Sequence, residues 1–260
     1  MNAYEVLALD NQKVVGTIVD FIRKKTKEAG SSKAVVSMSG GIDSSLVTFL
    51  TVEALGKENV FGFALPYKLS DPSSIEDAKK VADQLGIDFK VIPITSMVDA
   101  YVDNTFDKIR IGNVLARTRM IITFDQSKIH NALVMGTCNK TEVLLGYFTA
   151  FGDGAASLDP IASLYKTQVR MISKELGVPE SVITKAPSAD LWVGQTDEDE
   201  LGVSYEDADL ILYYLYDKKL SMFEIERLGF SRETIEKVYY QVTRTAFKGL
   251  IPIVAQIEQP

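Results

Sequence analysis

One run of six residues restricts this chain more than any other: Ser39-Gly40-Gly41-Ile42-Asp43-Ser44. It stands between an apolar run, Ala34-Val35-Val36-Ser37-Met38, and a helix-like stretch from Ser45 to Leu55. A buried strand, a tight glycine turn and a helix start, in that order, make an anion cradle. Gly40 and Gly41 let backbone N–H groups approach phosphate oxygens closely. The hydroxyls of Ser39, Ser44 and Ser45 are further donors. The helix start contributes unpaired N–H groups and partial positive charge. Asp43 would be repelled by bare phosphates, so its place here implies a cation between them, and Mg²⁺ is the usual cation at a nucleotide. A capped glycine turn leading into a core helix uses the same residue types. Five fixed positions, however, match by chance only about once per million windows, and that favours the cradle.

The rest of the chain alternates apolar strands with amphipathic helices. Helices are expected over Val14 to Ala29, Ser45 to Leu55, Ser73 to Leu85, Ser96 to Phe106, Asn113 to Lys128 and Lys166 to Leu176. Strands are expected over Lys33 to Met38, Val60 to Leu65, Phe89 to Ile94 and Ala132 to Met135. Ser73 and Glu76 have capping-box spacing. This alternation predicts βαβ units and a parallel sheet. After about Ser181 the strand signal fades, and Tyr205 to Lys219 and Ser231 to Thr245 read as helices. The expected fold is therefore α/β, a Rossmann-like parallel sheet flanked by helices with a helical C-terminal extension from about residue 203. No linker interrupts residues 1–260, so they are read as a single domain.

Inventory excludes several chemistries. The net charge of −7 over 260 residues argues against a general nucleic-acid binder. Cys138 is the only cysteine and His130 the only histidine, so a Ser-His-Asp triad or a His-rich metal site is nearly excluded, and a multi-cysteine metal site is excluded. Cys138 is expected to be a packed thiol. Residues 1–10 have neither a basic n-region nor an apolar h-region, and no apolar run nears about 20 residues. No secretory leader, no membrane span and a cytoplasmic location are expected.

A second segment, Gly136-Thr137-Cys138-Asn139-Lys140-Thr141-Glu142, follows the strand ending at Met135. Open α/β sheets bind ligands at the carboxyl ends of their strands. Asp43 and Glu142 could together supply the carboxylates that Mg²⁺ uses beside phosphates and water. Taken alone, the segment reads equally well as a surface turn. Gly146 to Gly154 (GYFTAFGDG) is too rich in glycine and aromatics for a stable helix interior. Lys166 opens a predicted helix, the end that the helix dipole makes unfavourable for a cation unless an anion is bound; without one, a solvated surface lysine is the simpler reading.

These segments resemble a known family. Ser39 to Ser44 resembles the SGGxDS pyrophosphate loop of the ATP pyrophosphatase superfamily, which cleaves ATP between its α and β phosphates and transfers AMP. The chain lacks the Walker A pattern of other phosphate loops. The strings PSADLW (Pro187 to Trp192) and GQTDE (Gly194 to Glu198), with GYFT and GDG upstream, narrow the resemblance to the NAD synthetase family. It implies the adenine-nucleotide alpha-hydrolase type of fold. It implies that Ser39, Gly40, Gly41, Ile42, Asp43, Ser44, Ser45, Thr137, Lys166 and Ser188 bind ATP. Asp43 and Glu142 would hold Mg²⁺. Arg117, Tyr147, Phe148, Thr149, Asp153, Phe247 and Lys248 would line the site of the nicotinate dinucleotide. Asp43, Lys166 and Asp153 would serve the chemistry, Asp153 by orienting ammonia or the nicotinate end. Gly194 to Gly202 would form a flap over the substrates.

By the same resemblance, the chain amidates deamido-NAD with ammonia and ATP, through an adenylate, and works as a homodimer. Free ammonia is expected because the loop already lies at residue 39, which leaves no room before it for a glutaminase. Three positions depart from many bacterial members: Ala150 stands for Lys, Ser157 for Asp, and Phe247-Lys248-Gly249 for His-Lys-Arg. All three touch the dinucleotide half of the reading. Two rivals stay open on the sequence alone: another adenylating amidase or thiolase of the superfamily, and a nucleotide sensor without catalysis.

Overall fold

The computed structural model describes residues 2–188, 197–250 and 253–257. Helices α1 (Ala3–Val6) and α2 (Asn11–Glu28) lead into strand β1 (Ala34–Ser37). Helix α3 (Ile42–Leu55), strand β2 (Val60–Ala64), helix α4 (Pro72–Leu85) and strand β3 (Asp88–Val91) follow. Helices α5 (Thr95–Asp99) and α6 (Lys108–His130) return the chain to strand β4 (Leu133–Met135). Then come α7 (Lys140–Leu145), α8 (Lys166–Glu175), α9 (Glu180–Ile183) and α10 (Asp197–Leu201). The extension comprises α11 (Tyr205–Leu212), α12 (Met222–Glu226) and α13 (Arg232–Thr245).

The sheet is the expected parallel one, with strand order β3-β2-β1-β4. Ala34 on β1 pairs with Val60 on one side and Leu133 on the other. The chain builds outward from β1 to β2 and β3, then crosses back to add β4 on the opposite flank. The turns that leave β1 and β4 therefore head toward opposite faces and open a crevice at their carboxyl ends, the topological switch point of such sheets. Those two turns carry Ser39 to Asp43 and Thr137 to Glu142, so the topology itself brings the two sequence motifs together.

Alternation on β1 splits the core in two. Ala34 and Val36 join a cluster with Ile18 and Ile22 of α2, Leu46 and Leu50 of α3, Val81 of α4 and Ile172 of α8. Val35 faces the other way, toward Phe63, Ile94, Val98, Leu115 and Val134. A third cluster belongs to the extension, where Leu210, Ile211, Ile235 and Val238 pack with Ala3, Leu145 and Tyr165. The extension is thus seated on α7 and α8, the two helices that enter the crevice.

Several element boundaries differ from the sequence expectation. Helix α3 starts at Ile42 rather than Ser45, with Gly41 as its N-cap, which puts Asp43 and Ser44 in the first turn. Helix α4 is capped by Asp71, whose side chain accepts the Ser73 N–H at 2.9 Å with Pro72 as the first helical residue. That arrangement takes precedence over the expected Ser73–Glu76 box. The helix expected to run to Phe106 stops at Asp99; beyond it the Asp103 carboxylate takes both the Thr105 N–H and its hydroxyl, a local bond that competes with helix. Helix α6 begins at Lys108, ahead of the expected Asn113, because Asp107 accepts the Arg110 N–H at 2.8 Å. The helix expected from Tyr205 to Lys219 changes into a π turn over Tyr213–Asp217. Among the described residues, no helix is long and apolar enough to cross a membrane.

Leu50 is fully buried between α3 and its neighbours. Leu50→Ala is expected to lower the unfolding free energy by about 2–5 kcal/mol, measured as a lower urea midpoint.

Candidate functional site

The crevice widens into a cavity of about 1060 Å³, lined by the β1 and β4 turns, the Tyr147–Asp153 segment, Lys166, Lys185 to Ser188, Asp197 and the end of α13. That is at or above the upper end of the roughly 300–1,000 Å³ usual for small-molecule sites, room enough for more than one nucleotide-sized ligand.

The β1 turn is shaped by Gly40. Its φ is +76°, and a Cβ there would lie 2.1 Å from the Ser74 carbonyl oxygen of α4. Only glycine meets both conditions. The serines mostly close the turn on itself. The Ser39 N–H donates to Ser44 Oγ at 3.2 Å, and the Gly41 N–H donates to Ser39 Oγ at 3.2 Å. The hydroxyls of Ser44 and Ser45 donate to the Gly41 carbonyl at 3.1 and 2.8 Å. Ser39, Gly41, Ile42, Asp43 and Ser44 line the cavity. Gly40 shapes the turn from behind, and Ser45, buried, braces the helix start. No side chain caps α3, so its dipole-rich end is left for an anion.

Lys166 is the centre of the site. The sequence alone favoured a solvated lysine, yet it is 2% exposed. Its Nζ donates to Asp43 Oδ2 at 2.5 Å and to Glu142 Oε1 at 3.1 Å, and lies 5.0 Å from the centre of the Tyr205 ring. Burial by itself would lower the Lys166 ammonium, but Asp43 and Glu142 outweigh it and hold its pKa raised. Burial pushes the Glu142 carboxyl up to about 8, Asp43 adds to that rise, and Lys166 opposes it. The two carboxylates sequence reasoning paired as metal ligands therefore do converge, around one ammonium.

Asn139 was missed as a site residue. Fully buried, it donates from Nδ2 to Asp43 Oδ1 at 2.9 Å, accepts the Glu142 N–H at 3.0 Å, and donates its own N–H to Glu142 Oε2 at 3.2 Å. It therefore cross-links the two carboxylates and caps α7 in one stroke. The signal was present in the sequence: Asn139 and Glu142 have capping-box spacing, which the structure uses.

Two hard carboxylates facing one point, with hydroxyls nearby, suit Mg²⁺, which keeps waters and takes one or two carboxylates beside substrate phosphates. Among the described residues no cluster of three His, Cys, Asp or Glu side chains stands ready to hold a metal unaided. Asp43 and Glu142 fit the two carboxylates of such a ligand set.

The remaining predicted residues divide. Thr137, Tyr147, Phe148, Thr149, Asp153, Ser188 and Lys248 all line the cavity. Asp153 Oδ1 accepts the Thr149 N–H at 2.9 Å, and burial pushes its carboxyl up. Lys248 Nζ donates to the Gly146 and Phe148 carbonyls at 2.7 and 2.8 Å, so it holds the Gly-rich turn while facing the cavity. Cys138 is buried as expected, and burial pushes its thiol well up. Arg117 and Phe247 do not line the cavity. Arg117 instead donates to the Ala150 carbonyl at 3.2 and 3.3 Å, while Arg119, two residues on, does line it. Asp197, read in sequence as part of a solvated acidic loop, is buried; it accepts the hydroxyls of Tyr147 at 3.1 Å and Tyr205 at 3.0 Å. The expectations for Ala189 to Thr196, including Asp190, Trp192 and Gly194, lie outside the described residues.

Comparison with known proteins places the chain in a family. The family model for NAD synthase matches residues 14–252. The NH(3)-dependent NAD(+) synthetase of Fusobacterium nucleatum is 46% identical over 255 residues, 97% of this chain and 99% of that one. Among solved structures, the NMN synthetase of Francisella tularensis superposes with a TM-score of 0.86 at 30% identity, covering 96% of this chain and all of that one. The NH3-dependent NAD synthetase of Campylobacter jejuni superposes with a TM-score of 0.82 at 33% identity, covering 96% and 100%. The chain belongs to the NAD synthase family, an α/β fold of the nucleotide alpha-hydrolase type.

Removing the central cation should expose the strain of the arrangement. Lys166→Met leaves Asp43 and Glu142 buried against each other, and is expected to cost about 3–5 kcal/mol of stability near pH 9. A carboxyl whose folded pKa is raised destabilises the folded state only as pH climbs above its unfolded value, so the loss should be smaller near pH 5, where Glu142 keeps its proton. Urea denaturation of both proteins in EDTA, at about pH 5 and about pH 9, reads it directly.

Proposed function

We propose that the chain is an ammonia-dependent NAD⁺ synthetase, joining ammonia to the nicotinate carboxylate of deamido-NAD and converting ATP to AMP and pyrophosphate. The observation that carries this reading is the buried Lys166–Asp43–Glu142 constellation at the uncapped start of α3, inside a cavity large enough for two nucleotides. A relative matched over 97% of this chain and 99% of its own length is named for ammonia, not glutamine, as nitrogen source.

In the proposed reaction a nicotinate oxygen attacks the α-phosphorus of ATP and pyrophosphate leaves. Ammonia then attacks the activated carbonyl, AMP leaves, and a proton is released. The start of α3 receives the departing pyrophosphate through its backbone N–H groups and dipole. Lys166, fixed on two carboxylates, presents a cation beside that charge without any reorganisation. Thr137 and Ser188 face the ATP side. Tyr147, Phe148, Thr149, Asp153 and Lys248 border the acceptor side, with Asp153 orienting ammonia or the nicotinate end. Asp43 and Glu142 would hold Mg²⁺, which neutralises charge as the P–O bond breaks. The chain's own contribution is mainly positioning and electrostatics.

A coupled assay tests this reading. With deamido-NAD, ATP, Mg²⁺ and an ammonium salt, pyrophosphate and NAD should appear in equal amounts. Glutamine in place of ammonium, or xanthylate or the nicotinate mononucleotide in place of deamido-NAD, should give little product. EDTA should stop the reaction. Asp43→Ala should lower turnover by at least about 10³-fold in a protein with wild-type circular dichroism; an active Asp43→Ala enzyme would refute the metal assignment.

The reading extends to a cytoplasmic homodimer built from single-unit chains. Helix α6 exposes Ile109, Ile121 and Phe124, apolar side chains that a second copy would cover, and Arg117 lies on the same helix. Sedimentation should give a dimer at micromolar concentration; a fully active monomer counts against it.

A further inference from the structure

Asp209 takes no part in the reaction described above, yet it is fully buried on α11 and both of its oxygens are engaged. Oδ1 accepts the Thr141 hydroxyl at 2.5 Å, and Oδ2 accepts the Thr167 N–H at 2.7 Å. Thr141 Oγ1 in turn accepts the Lys166 N–H at 3.0 Å. Lys166 and Thr167 are the first two residues of α8, and Tyr165 before them supplies no side-chain cap. The start of α8 is therefore capped from another helix, by a carboxylate where the helix dipole favours one. Thr141 immediately precedes Glu142 on α7. One buried side chain thus joins the turn that carries Lys166 to the helix that carries Glu142.

The extension repeats this hold one step away. Asp217, in the π turn that continues α11, accepts Lys140 Nζ at 2.6 and 2.7 Å and the Tyr165 hydroxyl at 3.0 Å. Lys140 and Tyr165 are the residues just before Thr141 and Lys166. A π turn shifts the side-chain phase of a helix and often marks a functional position; here it brings a second carboxylate to the same two helices.

We infer that Asp209 is a positioning residue for catalysis: from the helical extension it locks the first turn of α8 onto α7, so that Lys166 Nζ meets Asp43 and Glu142 together. This inference rests on the function proposed above for Lys166 and Glu142. Thr141, Lys166, Thr167 and Asp209 are each at most 2% exposed, so Asp209 acts through the other three rather than on substrate. Displacing a reacting or charge-bearing group by about 1 Å can cost roughly 10²-fold in rate, which sets the size of the expected effect.

The test uses the full-length enzyme. In Asp209→Asn one carboxylate oxygen becomes an NH₂ group, so the side chain no longer presents acceptors at both positions that Thr141 and Thr167 donate to. It should lower kcat about 30–100-fold while KM for ATP and for deamido-NAD stays within about 3-fold. The Lys166 and Thr167 amide hydrogens should exchange at least about tenfold faster than in the wild type. Thr141→Val should reproduce the loss, Thr141→Ser should restore turnover, and the double variant Asp209→Asn with Thr141→Val should be no worse than either alone. Wild-type kcat in a folded Asp209→Asn or Thr141→Val enzyme overturns the inference, as does unchanged amide exchange at Lys166 and Thr167. Should Asp209→Asn fail to fold, the contrast between Thr141→Val and Thr141→Ser decides. A wild-type protein unable to make NAD from deamido-NAD would reject the function itself, while the exchange rates would still report whether Asp209 holds α8.

Discussion

A buried ammonium bonded to two carboxylates governs this structure. Each of the three groups, alone in so enclosed a place, would be strongly unfavourable, because an unpaired charge away from water loses its hydration with nothing in return. Together they are tolerable, and only if held at hydrogen-bond distance. Asp43 comes from the first turn of α3, Glu142 from α7 and Lys166 from the start of α8. The placement of three helices is therefore tied to one triangle of charge. Asn139, bonded to both carboxylates, keeps them apart and aimed inward.

The sheet makes that convergence possible. Because β1 lies between β2 and β4, the two turns at its switch point meet without any long loop. Neither motif could build the site from its own segment: the β1 turn has an anion-seeking helix end but one carboxylate, and the β4 turn has a carboxylate but no free helix start, since Asn139 caps it. The helical extension then closes the back of the site through α7 and α8. The helical extension thus supports the site from behind, by packing and by two aspartates, while the end of α13 and Lys248 line the cavity directly.

Much of this could be read from residue order. The parallel sheet follows from the strand–helix alternation, and the tight glycine turn into the uncapped start of α3 follows from Ser39 to Ser44, because glycine and helix-end chemistry are local and leave a local trace. Lys166 was harder to read. Its burial depends on residues 123 and 24 positions away, and no pattern within a helix reports partners that distant. Asp197 failed for the same reason: its neighbours Glu198 to Glu200 make it look solvated, whereas tyrosines at 147 and 205 enclose it. Boundaries shifted where a short polar side chain bonded nearby backbone, as at Asp71, Asp103 and Asp107. The helix that expected periodicity carried through Tyr213 changed pitch there, since apolar spacing does not distinguish an α turn from a π turn.

The contact between Gly40 and the Ser74 carbonyl has one more consequence. The glycine turn after β1 is moulded against a helix that belongs to the next crossover, so its shape is not a property of six consecutive residues. Transplanting Ser39 to Ser44 into a foreign scaffold would carry over the glycines but leave behind the wall they lean on. A designer borrowing this turn would have to import the opening of α4 with it.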